Sequence, residues 1–328
     1  MSSCFRVPIT HYIDHYFRLE FPITQKGRNR VYYATVTAAG AELIRAKLPK
    51  GAEIPRHVAV KQIPNFDEFK GEITIANQLL TANLNRTMKY YGCLQYDINN
   101  TYFVIMEFLD GYSDLYSLIT ETILKKADKK IITNSLAAAI LELHNANFVH
   151  RDIKPENIMV NTETFQVKLI DIGYVCQNPE HIVADNIQSI VLLRKNCQDV
   201  RGTKGYIDPD MFRSRITFEK MIDYDWFAFV IVLEDLYDNS GFLYNFMRRQ
   251  PRMDDRGVQQ LRKHTFDRRL CGMMGPRTNI PKEIRPVVNR IIGKHCSDLP
   301  PVTQQQLRQT FQIPSIVSRQ QIRTPTAI

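Results

Sequence analysis

Ten consecutive residues, His150-Arg151-Asp152-Ile153-Lys154-Pro155-Glu156-Asn157-Ile158-Met159, concentrate the chemistry of this chain, and Asp171-Ile172-Gly173 begins fourteen positions after Asn157. Together they suit the movement of a phosphoryl group. That reaction needs a polyphosphate neutralised, normally by a divalent cation on oxygen ligands, and Asn157 and Asp171 offer such oxygens. It needs a hydroxyl oriented and relieved of its proton, and Asp152 can accept one. It needs a cation facing the charge that grows on the transferred group, and Lys154 lies two residues from Asp152. An exposed loop with scattered charges is the plainer reading of any one of these residues. It does not fit the whole set in this order.

The pattern H-R-D-x-K-P-E-N followed by D-x-G resembles the catalytic signature of the protein kinase family. The resemblance implies an α+β, bilobal protein kinase-like fold, with a small antiparallel-sheet N-lobe carrying one main helix and a mostly helical C-lobe. It implies ATP and Mg2+ as cofactors, with Mn2+ able to substitute. Asp152 would be the catalytic base, Lys154 its cationic neighbour, and Asn157 and Asp171 the metal ligands. Val58-Ala59-Val60-Lys61 is similar to the family's lysine-bearing strand, so Lys61 would bind the α- and β-phosphates. Its glutamate partner on the next helix would be Glu72, with Glu68 as the alternative. Met106-Glu107-Phe108-Leu109 resembles the hinge between the lobes. Backbone groups of Glu107 and Leu109 would bind adenine, with Met106 behind it. Val31, Ala59 and Met159 would line the pocket, and Asp114 would contact the ribose.

Gly202-Thr203-Lys204-Gly205-Tyr206-Ile207-Asp208-Pro209-Asp210 resembles the end of an activation segment, in which Asp208-Pro209-Asp210 stands for A-P-E. There Thr203 would position the acceptor hydroxyl. Asp225 in Asp225-Trp226-Phe227-Ala228-Phe229 resembles the buried aspartate that anchors the catalytic loop. A helix capped at its N-terminus by Asp225 is the plainer reading. Lys154 after Asp152 resembles the serine/threonine class, which implies a protein partner with a Ser/Thr acceptor. A small-molecule kinase is an alternative, but Lys154 and residues 202–210 count against it. A catalytically silent scaffold is another, and Lys61, Asp152, Lys154, Asn157 and Asp171 are all present against it.

Several positions depart from the family pattern. Thr24, Lys26 and Asn29 stand where the phosphate-covering loop has glycines, which normally let the backbone approach phosphate closely. Lys26, Arg28 or Arg30 would then have to contact phosphate directly; solvated loop charges are the simpler reading. Ile172 replaces an aromatic residue between Asp171 and Gly173, and Val230 a glycine after Asp225. The Asp171–Asp210 span holds apolar residues from Ile182 to Leu193 at helical spacing. Arg151 beside the base makes activation through a phosphorylated Tyr174, Ser189 or Thr203 a further expectation.

The elements that must hold these residues follow from periodicity. Phe17–Phe21, Val31–Val36, Val58–Ile63 and Tyr102–Phe108 read as strands from their β-branched and aromatic content. Phe69, Ile73, Ala76 and Leu80 recur at helical spacing. Residues 38–57, with Gly40, Pro49, Gly51 and Pro55, read as a long connection. Ile131–Asn145, Asp225–Tyr237, Glu283–Ile292 and Thr303–Thr310 read as helices, the second apolar nearly all round and so buried. The divisions expected are an N-terminal extension (1–16), N-lobe (17–109), C-lobe (110–312) and flexible tail (313–328).

The chain has 328 residues, 44% hydrophobic and 23% charged, which excludes a disordered protein. Its apolar runs are too short to span a bilayer, and the N-terminus lacks the apolar core of a signal peptide. The expectation is an intracellular protein, in cytoplasm or nucleus or in a host cell's cytoplasm, with no membrane partner. Its scattered cysteines Cys4, Cys93, Cys176, Cys197, Cys271 and Cys296 would then be reduced thiols. A net charge of +9 favours acidic partners in general. No aromatic-studded basic stripe marks a nucleic-acid site, and the arginines of 247–269 read as a solvated surface rather than an acidic-substrate dock.

Overall fold

A computed structural model describes residues 4–6, 12–24, 30–48, 51–96, 101–182, 197–212, 216–238, 279–293 and 302–314. The expectations for Lys26, Arg28 and Asn29, for Ser189 and the helical spacing beyond Ile182, for 247–269, for Cys271 and Cys296, and for the tail beyond Pro314 lie outside these residues.

The N-lobe is built on six strands: β1 (Cys4–Arg6), β2 (Phe17–Thr24), β3 (Arg30–Val36), β4 (His57–Ile63), β5 (Tyr90–Tyr96) and β6 (Thr101–Glu107). Their order is β1-β5-β6-β4-β3-β2, and every pairing is antiparallel except β1 with β5. Strand β4 shows why the sheet needs two covered faces. Val58 and Val60 join one buried cluster, while Ala59 and Ile63 join the other. Alternation along a strand sends successive side chains to opposite faces.

One face is covered by the main helix of this lobe, α3 (Phe66–Ala82), through Phe69, Ile75, Ala76 and Leu79. Asn65 caps it by accepting from the Glu68 amide, and Asn83 ends it in the left-handed region at φ 49°. The other face is covered by α1 (Ile13–Tyr16) and α2 (Ala38–Arg45) through Tyr16 and Ile44. Helix α2 corrects the reading of 38–57 as a connection. Thr37 caps its N-terminus, accepting from the Gly40 amide. Gly40, which reads as a breaker, is there because a Cβ would collide with the Tyr16 carbonyl oxygen. Burial of Ile44 alone contributes roughly 2–3 kcal/mol.

Part of the stretch set apart as an N-terminal extension belongs to the sheet, since Cys4–Arg6 runs parallel to Cys93–Gln95. That register joins Cys4 and Cys93 as a disulfide. A second joins Cys176 to Cys197. The expectation of reduced thiols is corrected for these four, because chain register rather than compartment sets which sulfurs meet.

The C-lobe holds α4 (Leu115–Glu121), α5 (Lys126–Asn145), α6 (Phe218–Asp238), α7 (Arg285–Gly293) and α8 (Gln304–Thr310). Thr303 and Gln306 form a capping box on α8. Helix α6 is buried from Tyr224 to Glu234 and is the core of the lobe. Val230, in place of a glycine, is fully buried there. Asp225 lies a full two turns inside α6, so the reading of it as an N-cap is corrected. Short strands β7 (Tyr112–Asp114), β9 (Ile158–Asn161) and β10 (Val167–Leu169) form a small sheet, and β8 (Phe148–Val149) pairs with β11 (Cys176–Gln177). Among the described residues no helix is long and apolar enough to cross a membrane.

Candidate active site

The site forms where the loop after β8, the turn after β10 and the inner face of β4 converge. Asp225 governs the first of these. Its Oδ2 accepts from the His150 amide at 2.8 Å, and its Oδ1 from the Arg151 amide at 2.8 Å. His144 Nε2 on α5 lies 2.9 Å from the same Oδ2. The carboxylate is completely enclosed, so each contact replaces a hydration bond it has lost. His144 was not foreseen: at the end of an amphipathic helix a histidine reads as a core residue, and no local signal marks its partner.

Held this way, Arg151 adopts φ 65°, a conformation costly for a side chain with a Cβ. The turn brings Asp152, itself buried, to Thr203, Asn157 and Lys154. Asp152 Oδ1 accepts from Thr203 Oγ1 at 2.6 Å. Its Oδ2 accepts from Asn157 Nδ2 at 2.9 Å and lies 3.0 Å from Lys154 Nζ. Lys154 Nζ also donates to Thr203 Oγ1 at 2.7 Å. The expected base, its cationic neighbour and the activation-segment threonine therefore form one hydrogen-bonded group.

Gly202, at φ 132°, brings Thr203 into reach, and a Cβ there would come 2.7 Å from the Arg151 carbonyl oxygen. Arg151 itself binds the segment by its side chain, donating to the carbonyl oxygens of Tyr174 at 2.6 Å and Asp199 at 3.1 Å. Burial, then the nearby Arg201, lowers its pKa to about 10.

From the other lobe, Lys61 donates to Glu72 at 2.8 and 3.0 Å and to Asp171 Oδ1 at 3.2 Å. Glu72 is the partner; Glu68, the alternative, is exposed on the first turn of α3. Burial opposes the charge on Lys61, but Glu72 and Asp171 outweigh it and hold the pKa above the ordinary lysine value. Burial raises the Glu72 carboxyl, with Lys61 pulling the other way. Asp171 goes down: burial would raise it, but Lys61 prevails, aided by His150 and the Gly173 amide. Asp171 adopts φ 59°, which leaves its side chain 48% exposed toward the cleft. Ile172, behind it, is buried in the cluster that includes Phe69 and Ile75 of α3.

Most of the remaining expected residues lie on strands of the two sheets that flank Lys61 and Asp171. Val31 is the register partner of Lys61 on β4, and Ala59 that of Met106 on β6. Met159 on β9 pairs with Asp114 on β7. Asp114 caps α4, its carboxylate accepting from the Ser117 amide at 2.9 Å and hydroxyl at 2.8 Å. Leu109 follows the hinge, its carbonyl oxygen accepting from the Tyr112 amide.

The donor set fits a divalent cation with a polyphosphate. Asn157 spends its amide nitrogen on the Asp152 carbonyl and carboxylate, which leaves the side-chain oxygen as its ligand atom. Asp171 supplies a carboxylate held ionised. Among the described residues no group of three or more His, Cys, Asp or Glu could hold a metal by itself. One carboxylate and one amide suit Mg2+, which keeps waters and takes its other ligands from substrate phosphates.

The family model for the protein kinase domain matches residues 50–304. Among curated proteins, a myosin light chain kinase 3 of Rattus norvegicus is 34% identical over 119 residues, 35% of this chain and 14% of that protein. A calcium-dependent protein kinase 5 of Plasmodium falciparum is 28% identical over 176 residues, 52% of this chain and 27% of that protein. The phosphorylase b kinase gamma catalytic chain, liver/testis isoform, of Bos taurus is 30% identical over 119 residues, 36% of this chain and 26% of that protein. The matched stretch thus spans about a quarter or less of these relatives' lengths.

Proposed function

This chain belongs to the protein kinase family, and on that premise we propose that it is an active enzyme transferring the γ-phosphoryl group of ATP to serine or threonine hydroxyls of proteins. The observation that carries the reading is the shared contact of Thr203 and Lys154 on Asp152. A carboxylate with one oxygen already bound to a hydroxyl at 2.6 Å is built to take a second hydroxyl, that of an acceptor side chain.

Mg·ATP, with Mn2+ able to replace Mg2+, supplies the transferable group and the cation that neutralises it. The chain's residues do the rest by position and field. Lys61, fixed by Glu72, presents its ammonium to the α- and β-phosphates. Asn157 and Asp171 would hold the metal. Asp152 orients the acceptor and takes its proton at Oδ1, and Lys154 stabilises the charge that develops beside it. Adenine would be held at the hinge, with Met106, Val31, Ala59 and Met159 lining its pocket. The Glu107 amide is spent on the Lys89 carbonyl at 2.9 Å, so the hinge offers adenine the Glu107 carbonyl and the Leu109 amide. Asp114 reaches the ribose only by sharing the carboxylate that caps α4.

The test is transfer of label from γ-labelled ATP to a basic acceptor protein, followed by phosphoamino-acid analysis. Wild type should yield phosphoserine or phosphothreonine, and Asp152→Asn and Asp171→Ala should each lose at least about 10²-fold. Transfer that survives both substitutions, or an inactive wild type that still binds nucleotide, would reject catalysis in favour of a scaffold.

A further inference from the structure

Glu107 closes β6, where the chain passes from one lobe to the other, and its carboxylate is largely covered. Both oxygens accept from Lys168 Nζ at 2.6 Å, and Oε2 also accepts from the Lys89 amide at 3.2 Å. The side chains of Lys168 and Glu107 are 15% and 20% exposed. Exposed ion pairs contribute little, but a short pair with most of its water removed and an amide completing it fixes geometry.

Lys168 is the middle residue of β10, which pairs it with Met159, and Asp171 follows three positions later. The chain between α3 and β5 is sewn to the same strand. The Met88 amide donates to the Leu169 carbonyl at 2.9 Å, and the Leu169 amide to the Arg86 carbonyl at 2.8 Å. Glu142 on α5 accepts from the Asn85 and Arg86 amides at 3.2 and 2.8 Å. Residues 85–89 thus sit between α5, β10 and the hinge, and the Lys168–Glu107 pair closes that seam at its hinge end.

We propose that Lys168 is a positioning residue, whose ion pair with Glu107 holds the adenine-binding hinge in register with β10 and therefore with the metal-binding Asp171. The inference rests on the nucleotide site described above and adds a group that does not touch the nucleotide. A ligand spanning hinge and metal needs both ends at a fixed separation. A ligand touching only the hinge can follow it.

The experiment compares dissociation constants of Mg·ATP and of adenosine by calorimetry. In Lys168→Met, Mg·ATP should weaken about 5–10-fold while adenosine changes less than about twofold, since tenfold corresponds to about 1.4 kcal/mol. Lys168→Arg should keep the wild-type ratio, and the exchange Lys168→Glu with Glu107→Lys should recover most of the loss. Amide exchange should also quicken in Lys168→Met over residues 85–89 and 105–110. A Lys168→Met ratio equal to wild type, or equal weakening of both ligands, overturns the proposal. If wild type binds neither ligand, the nucleotide reading is what fails; amide exchange then decides, and unchanged protection over those residues overturns the clamp.

Discussion

Asp225→Asn changes no atom that could touch a nucleotide, and the geometry assigns it a large effect. The wild-type carboxylate takes the His150 and Arg151 amides, both at 2.8 Å, and faces His144 Nε2 at 2.9 Å. An asparagine keeps one oxygen and turns an NH2 group toward at least one of these donors. A hydrogen bond to a charged group contributes about 1.5–3 kcal/mol, and an orphaned buried donor costs about 1–3 more. The left-handed Arg151, itself a cost of about 1–3 kcal/mol, also loses its restraint. With partial relaxation the destabilisation should be about 3–5 kcal/mol. In a chain of this length that lowers Tm by roughly 4–7 °C. His144→Leu removes one donor of the three and should cost only about 1–2 kcal/mol. Because Asp225 fixes the turn that carries Asp152, kcat of Asp225→Asn should fall about 10²-fold or more. Lys61, Glu72 and the hinge are untouched, so KM for ATP should stay within about twofold. Thermal denaturation and initial-rate kinetics on the folded fraction read both quantities. An Asp225→Asn protein with Tm within about 2 °C and kcat within about threefold of wild type would refute this account of the loop.

Asp235 offers a pH test: burial raises its carboxyl to about 6, with Glu156 adding to the rise and a 3.1 Å bond from the Tyr206 hydroxyl opposing it. The folded state therefore holds this proton more tightly than the unfolded chain, so the associated stability is whole below about pH 4 and lost as pH climbs through about 6. Asp235→Asn, which still accepts from Tyr206, should be more stable than wild type at pH 7 by up to about 3 kcal/mol and equal to it near pH 4; urea titrations showing it less stable at pH 7 would contradict this. The disulfides offer another test, because Cys4–Cys93 spans 89 positions and Cys176–Cys197 spans 21. Loop-closure entropy gives about 4–5 kcal/mol for the first and about 3 for the second. Cys4→Ser should therefore lower the Tm of oxidised protein more than Cys197→Ser, and the reverse order in parallel melts would show that unfolded-chain entropy is not what the bridges restrict.

The grouping of Asp152, Lys154 and Asn157 was legible in the sequence because it is local. Asp152, Lys154 and Asn157 lie within six consecutive residues, and a tight turn must bring them together. The Lys61–Glu72 pair was legible in part: helical spacing placed both Glu68 and Glu72 on the next helix, and only the packing of Phe69 and Ile75 turns Glu72 inward. What escaped depends on register between distant segments. Nothing near Cys4 announces that it runs beside Cys93. Gly40 reads as a breaker until the Tyr16 backbone is seen against it. Asp225 and Glu107 are singled out by resemblance, but nothing local marks their partners His144, 81 positions away, and Lys168, 61 positions away.

Those long-range contacts form a closed circuit. The buried α6 fixes Asp225, Asp225 fixes the left-handed Arg151, and Arg151 grips the segment on both sides through the Tyr174 and Asp199 carbonyls. Cys176 and Cys197 lie two residues from Tyr174 and Asp199 respectively and join the same two stretches covalently. The segment then returns Thr203 to Asp152, which began the loop. This bears on how the segment could be regulated. A phosphate on Thr203 would remove the hydroxyl that Asp152 and Lys154 share and place two negative charges against Asp152, so phosphorylation of Thr203 is expected to disrupt the proposed site. Tyr174 differs: its ring lies under Arg201 at 5.8 Å and is 38% exposed, so a phosphate there would meet a guanidinium rather than a carboxylate.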